Sequence, residues 1–158
     1  MYLKQLDKTE IEQLKIGVHT FDGLSVFNES IPPIHVLERS SELIVQGGNC
    51  IWASPYLMVQ NNQIVGCCGF KSEPVLNSVE IGYNVAPDAR GQGFATLAIE
   101  KLCQVAINSN SVKTVKALIA SHNIASLNVV IKNQFTFTEM VIDHENEELQ
   151  CWTLNINN

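Results

Sequence analysis

VEIGYNVAPDARGQGFA, residues 79–95, joins an alternating stretch to a glycine-rich turn that opens a helix. In the alternating part the apolar residues point one way, and Glu80 with its small or polar neighbours points the other, as in a strand with two different faces. Pro87 fixes φ and lacks a backbone donor, so the strand is predicted to end in a turn there. Beyond Gly93, a stripe at helical spacing predicts a long amphipathic helix; it comprises Phe94, Leu97, Ala98, Lys101, Leu102, Val105 and Ala106.

The turn before this helix carries two glycines, Gly91 and Gly93. Glycines at the first turn of a helix leave unpaired backbone N–H groups open to a ligand that approaches closely, and the helix dipole adds partial positive charge. The arrangement predicts an anion site, most naturally for a phosphate. The alternative is a tight turn that only happens to contain two glycines.

The segment RGQGFA, residues 90–95, resembles the pyrophosphate-binding motif of the GNAT superfamily of N-acetyltransferases, Arg/Gln-x-x-Gly-x-Gly/Ala. Its three defined positions are filled by Arg90, Gly93 and Ala95. The resemblance implies acetyl-coenzyme A (acetyl-CoA) as the cosubstrate, with its pyrophosphate held by this turn. The cofactor-binding residues implied here are Arg90, Gly91, Gln92, Gly93, Phe94 and Ala95.

The helix that begins after Asn123, beyond the strand at 114–119, carries a second resemblance to the same superfamily. Members often show N-x-x-(A/S) at its start and K-x-G-F at its end, and this chain keeps Asn123, Ser126, Lys132 and Phe135. The glycine is replaced by Gln134, so the helix is predicted to end with Asn133 in the left-handed conformation. The resemblance implies that Asn123 and Ser126 hold the pantetheine arm or a nearby phosphate. The alternative for Asn123 is a simple helix N-cap.

Acetyl transfer from a thioester needs a polarised carbonyl and a neutral amine. The resemblance implies that the backbone N–H of Val85, at the end of a bulged strand, polarises the carbonyl. It also makes Glu80 the candidate general base, acting through water, because an amine with a pKa near 10 is only about 0.1% neutral at pH 7. The alternative for Glu80 is a surface carboxylate or a partner for an N-terminal lysine.

The leaving thiolate also needs a proton, which many superfamily members supply from a tyrosine seven residues after the helix asparagine. That position is Val130 here, and valine cannot donate a proton. A coenzyme A thiol, with a pKa near 8 to 9, can leave as the thiolate and be protonated by water. The possible substitutes are Tyr83, Tyr56 and Ser126, each favoured as structural, and Tyr83 is predicted to be core.

Composition limits the remaining functions. The 158 residues include 16 acidic and 10 basic side chains, for a net charge of −6, with no basic cluster that would bind nucleic acid. No apolar run approaches a membrane span and no signal-peptide core is present, so a cytoplasmic location is expected. Five cysteines and four histidines show no metal-ligand spacing, and no metal is expected.

The remaining elements fit an α+β fold. The resemblance implies a central mixed, mostly antiparallel sheet of about six to seven strands flanked by about four helices. Residues 114–119 are predicted to lie parallel to the strand before them, because a helix connects the two. The other predictions are a strand at 2–6, a helix capped by Thr9, a loop or broken helix over a site at 19–33, a helix at 34–45, hairpin strands at 54–60 and 64–70, and strands at 137–142 and 149–154.

The chain is predicted to be a single N-acetyltransferase domain, 1–158, divided into an acceptor-side part at 1–53, an acetyl-CoA-binding core at 54–137 and C-terminal strands at 138–158. The predicted function is acetyl transfer to a primary amine of a small molecule or a protein N-terminus, with the acceptor chosen between residues 19 and 42. The alternative is a non-catalytic acyl-CoA sensor. A dinucleotide-binding fragment is disfavoured because the glycine spacing is not G-x-G-x-x-G. C-terminal edge strands suggest a possible homodimer.

Overall fold

The structure is a computed structural model that describes residues 1–19, 21 and 23–156. Within these residues it contains eight strands and five α-helices, in agreement with the predicted α+β class. Thr20 and Asp22, which belong to the irregular segment predicted at 19–33, lie outside the described residues. In chain order the elements are β1 (Tyr2–Gln5), α1 (Lys8–Lys15), β2 (Ser25–Val26), α2 (Ile34–Val45), α3 (Cys50–Ala53), β3 (Tyr56–Gln60), β4 (Gln63–Phe70), β5 (Ser78–Val85), a 3₁₀ turn (Pro87–Ala89), α4 (Phe94–Ser109), β6 (Thr114–Ala120), α5 (Ile124–Lys132), β7 (Thr136–Ile142) and β8 (Glu148–Asn155).

One sheet organises these elements, in the order β1-β3-β4-β5-β6-β8-β7, with the short β2 beside β4. β5 and β6 run parallel, as expected for strands joined by a helix, whereas the other neighbours on the main path are antiparallel. The β5–β6 pairing extends only from Ser78 to Glu80 on β5. Beyond Glu80 the two strands separate, so the sheet is split at the C-terminal end of β5.

Helices cover both faces of the sheet. α1 and α2 pack on one face, where Leu14 and Leu37 join Leu57 and Ile64 in a buried cluster. α4 and α5 pack on the other face in a larger cluster of 22 buried residues, which includes side chains of β5 and β6. None of the helices in the described part of the chain is long and apolar enough to cross a membrane.

Several local predictions are confirmed in the N-terminal half. α2 has the predicted bounds, and Asn61 and Asn62 form the hairpin turn with positive φ values of 48° and 59°. The cap of α1 was predicted at the wrong residue: Asp7, not Thr9, accepts a hydrogen bond from the Glu10 N–H at 2.8 Å. The Glu10 carboxylate in turn accepts from the Asp7 N–H, which closes a capping box.

The buried face of α4 differs from the predicted one, and that of α5 differs from the apolar stripe Ile124, Leu127 and Ile131 that its helical spacing predicts. In α4, Leu97 is 43% exposed, and the inward positions are Ala98, Ile99, Leu102, Cys103 and Ala106. In α5, Ile124 and Ile131 are more than half exposed and Val130 is fully buried. Each helix packs against the sheet and also against the other helix, so a single apolar stripe does not define its orientation.

Candidate active site

A cleft of about 450 Å³ occupies the gap where β6 leaves β5. Its walls are the C-terminal end of β5, the glycine turn, the first residues of α4 and one face of α5. Of the predicted cofactor-binding residues, Gln92 alone does not line the cleft. Those that do are Val85, Arg90, Gly91, Gly93, Phe94, Ala95, Asn123 and Ser126.

The backbone of β5 presents donors to this gap. Val85 lies opposite Gly66 of β4, and the N–H of the next residue, Ala86, donates to the Val65 carbonyl at 2.9 Å. Because bonding alternates along an antiparallel ladder, the N–H groups of Tyr83 and Val85 point away from β4 and into the gap. The prediction of a bulge in β5 is wrong: its register with β4 is continuous, and the irregularity lies between β3 and β4 at Met58 and Val59.

The glycine turn has the conformation of an anion site. Gly91 and Gly93 have φ values of 76° and 82°, which other residues rarely adopt, and a Cβ built on either would meet nothing within 4 Å. The N-cap of α4, Gly93, has no side chain to cap the helix, and the first turn holds no acidic residue. The first N–H groups of the helix are therefore left without a capping side chain beside the cleft.

Two cationic side chains line the same cleft. Arg90 lies in the turn, and its Nε donates to the Val85 carbonyl at 3.0 Å, which ties the turn to the end of β5. Lys132 enters from the last turn of α5, so two positively charged residues line the cleft that contains the glycine turn. The residues that could hold the pyrophosphate of acetyl-CoA therefore fit its charge and its need for closely approaching donors.

The cleft side of α5 was only partly predicted. Asn123 is the N-cap, and its Oδ1 accepts from the Ser126 N–H at 3.1 Å, so the N-cap alternative is confirmed and the residue also lines the cleft. Four lining residues of α5 were missed, and they fall at i, i+3, i+4 and i+7, the spacing of one helix face: Ala125, Asn128, Val129 and Lys132. At the end of the helix Gln134 itself, not Asn133, takes the left-handed conformation, with φ 64°.

Tyr83 lies in the cleft and not in the closed core that its sequence pattern predicts. Its hydroxyl donates to the Ser126 carbonyl at 3.3 Å, across the space between β5 and α5. Burial raises the pKa of Tyr83, and the hydrogen bond to Ser126 opposes part of that rise. Of the other two substitutes for the missing tyrosine, Ser126 also lines the cleft, whereas Tyr56 is buried elsewhere and donates to the Ile51 carbonyl. Val130 is fully buried.

Glu80 lies near the other end of β5. It is five residues before Val85, or about 16 Å along an extended strand, and it lines neither this cleft nor the second cavity. Its carboxylate forms an ion pair with Lys71 Nζ at 2.5 Å, so its partner is a lysine of the 71–77 loop and not an N-terminal one. Arg39 of α2 lies nearby; burial lowers the pKa of Arg39, and the charge of Glu80 opposes that shift.

A second cavity of about 500 Å³ lies on the α1–α2 side of the sheet. Its lining comes from α1, His19, the 29–33 segment, the start of α2 and one residue of β5, Asn84. Asn84 lines the cleft as well, and its Nδ2 donates to the Glu29 carbonyl at 2.8 Å. The two cavities therefore meet at Asn84, next to the Val85 N–H.

The sequence is similar to those of known acetyltransferases. The acetyltransferase (GNAT) domain matches residues 37–136. An uncharacterized N-acetyltransferase p20 from Bacillus licheniformis is 26% identical over 90 residues, which is 56% of this chain and 51% of that protein. The chain thus matches about half the length of this curated relative.

Solved structures share the fold across nearly the whole chain. A chimera of the spermidine N-acetyltransferase from Vibrio cholerae superposes with a TM-score of 0.69 at 12% identity, covering 98% of this chain and 94% of that one. A ribosomal L7/L12 alpha-N-protein acetyltransferase in complex with coenzyme A gives a TM-score of 0.68 at 18% identity, covering 98% and 93%. At these identities the likeness concerns the fold.

Proposed function

The chain belongs to the acetyltransferase (GNAT) family, and from this premise we propose that it transfers the acetyl group of acetyl-CoA to a primary amine. The observation that carries the proposal is that Asn84, next to Val85, lines two cavities, one of which has the features of a pyrophosphate site. The names of the structural neighbours, which act on spermidine and on a ribosomal protein, support an amine as acceptor.

Acetyl-CoA supplies the activated acetyl thioester when it is bound. In our proposal Arg90, Lys132 and the N–H groups of the α4 start bind its pyrophosphate, while Asn123 and Ser126 contact the pantetheine arm. The Val85 N–H, which points into the gap, donates to the thioester carbonyl and stabilises the charge that develops on its oxygen. This proposal keeps the roles predicted from the resemblance and adds Lys132 to the pyrophosphate site, and the β5 backbone would donate the Val85 N–H without a bulge.

In the transfer, the amine nitrogen forms a bond to the acetyl carbon, and the carbon–sulfur bond breaks with its electron pair on sulfur. The amine loses one proton and the departing sulfur gains one, so an amide and a thiol result. We assign the proton donor for the sulfur to Tyr83, because its hydroxyl lies in the cleft and its raised pKa keeps it protonated at neutral pH.

The proton acceptor for the amine is a separate question. Glu80 stays the predicted base, although its ion pair with Lys71 supports the structural alternative. His19, which lines the second cavity, is a second candidate, because a neutral imidazole nitrogen can accept a proton. Loss of the acidic limb of the kcat/KM profile in Glu80→Gln and not in His19→Gln would assign the role to Glu80, and the reverse would assign it to His19.

Further parts of the proposal follow the sequence predictions. We propose the division into an acceptor side at 1–53, an acetyl-CoA core at 54–137 and C-terminal strands at 138–158, and a cytoplasmic location.

The possible homodimer is supported by β7, an edge strand that exposes Phe137, Met140 and Ile142. Sedimentation at several protein concentrations tests the dimer.

Calorimetric titration with acetyl-CoA tests the proposed site. We expect binding of roughly micromolar strength, about −8 kcal/mol, and its loss in Gly93→Asp, which places a carboxylate at the pyrophosphate. Gly47→Asp is the matched control, because Gly47 also has a positive φ, 86°, and open space around it, but lies after α2. No binding by the folded wild-type protein would refute the proposal. Binding without release of free thiol in the presence of any amine would favour the acyl-CoA sensor.

A further inference from the structure

The second cavity has a mostly apolar lining. Leu14 and Leu37 form part of its floor, at 4% and 2% exposure, and Ile34 at 52% exposure forms part of its rim. Ile31, Pro32 and Pro33 complete the apolar surface between them. Such a surface gains free energy by covering an apolar group and loses it by covering a charge that finds no partner.

Glu29 places a carboxylate on the same cavity. Although exposed, it is held in a defined position: its carbonyl accepts from Asn84 Nδ2, and it occupies a left-handed turn with φ 59°. The next residue, Ser30, is fully buried, and its hydroxyl donates to the Phe27 carbonyl at 2.7 Å. The turn therefore fixes the backbone of an acidic residue beside an apolar cavity, next to the strand that faces the cleft.

From these contacts we infer that the second cavity takes a primary amine carried on an apolar body, with Glu29 as the partner of its ammonium group. The inference rests on the proposed acetyl transfer and specifies its substrate class. A cavity of about 500 Å³ is within the range of small-molecule sites, so it suits an arylalkylamine or the N-terminal residue of a peptide with an apolar side chain. A polyamine is disfavoured, because its second ammonium group would lie against Leu14 and Leu37.

Binding of the amine is measured directly, with coenzyme A present and no transfer possible. The probes are phenethylamine, a peptide amide with an N-terminal phenylalanine, and spermidine. We expect at least one of the first two to bind at least about tenfold more tightly than spermidine, since covering a ring-sized apolar group gives a gain of that order. The stronger of the two distinguishes the free amine from the peptide. Equal or tighter binding of spermidine, or no binding of either apolar amine, would overturn the inference.

Two variants locate the site. Ile34→Gln makes the apolar rim polar without adding a charge that would attract the ammonium group, and should weaken binding of the apolar amine by about fivefold. Val45→Gln is its control: it also replaces an exposed aliphatic residue of α2, 69% exposed, but outside the cavity, and should leave binding unchanged within about twofold. Glu29→Gln should weaken binding several-fold, and Glu42→Gln, also exposed but on α2 away from the cavity, should not. Equal effects of variant and control would contradict the assignment.

Failure of this inference is distinguishable from failure of the proposed function. Acetyl-CoA binding that depends on Gly93, with thiol release in the presence of spermidine and not of the apolar amines, would leave the acetyltransferase proposal in place and exclude the apolar substrate class. Binding of the apolar amine without any thiol release would retain the cavity assignment and remove the transfer reaction.

Discussion

The two cavities that meet at Asn84 are built in opposite ways. The cleft draws most of its anion-binding features from one short run of sequence, Arg90 to Ala95, in which the turn, the helix start and a cation follow one another, and only Lys132 is added from α5. The second cavity draws on α1, the 29–33 segment, α2 and β5, and its residues are up to 70 positions apart, from Leu14 to Asn84. A site for a pyrophosphate can be formed mainly by a few consecutive residues, whereas a site that selects an acceptor depends on how distant segments pack.

The largest expected effect is at Tyr83, and it tests whether the cleft supplies the proton donor for the departing sulfur. If this hydroxyl protonates the departing sulfur, Tyr83→Phe should lower kcat by about 100-fold with little change in the KM of either substrate. Because burial raises the pKa of Tyr83 above the usual 10.0, the phenol stays protonated at neutral pH, and wild-type kcat should lose this contribution only above that value. Steady-state kinetics over pH measures both effects.

Tyr56→Phe is the control for this substitution. Tyr56 is also buried and donates to a backbone carbonyl, that of Ile51 at 3.0 Å, but it lies outside the cleft. Removing its hydroxyl should lower the free energy of unfolding by about 1 kcal/mol and leave kcat unchanged. A kcat for Tyr83→Phe equal to that of Tyr56→Phe would show that Tyr83 is not the proton donor and would leave water or Ser126 in that role.

The charge of the cleft is tested next at Lys132. Lys132→Glu reverses a charge beside the glycine turn and should weaken acetyl-CoA binding by about 30-fold, with the loss reduced at high salt. The KM for the amine should not change, because Lys132 does not line the second cavity. Lys101→Glu, on an exposed part of α4 away from the cleft, is the control. Equal Kd values for the two variants would remove Lys132 from the site.

Substitution of Asn84, the residue that lines both cavities, should give the smallest of the three kinetic effects. Asn84→Ala removes the hydrogen bond to the Glu29 carbonyl, so we expect the amine KM to rise about fivefold as the 27–30 turn loses this tether. Acetyl-CoA affinity should change by less than about twofold, since the anion-binding groups remain. An equal effect on both substrates would show that the cavities are not energetically separate.

The same contrast explains how far the sequence could be interpreted. The strand, glycine turn and helix at 78–109 were predictable because period, turn chemistry and capping all act within a few residues. The pairing of Glu80 with Lys71 and the inward face of α5 were not, because both depend on which element packs alongside. Likewise the alternation that correctly put Tyr83 on the apolar face could not reveal that β6 departs there and leaves a cleft.

The short pairing of β5 with β6 also determines how backbone amides exchange with deuterated water. Past Glu80, the amides of Gly82 and Asn84 point to β4 and are protected, whereas those of Tyr83 and Val85 point into the gap. Protection should therefore alternate from residue to residue along one strand. Binding of acetyl-CoA should slow hydrogen exchange at the Val85 amide selectively. The exchange rate of this one amide therefore reports whether the thioester carbonyl accepts a hydrogen bond from it.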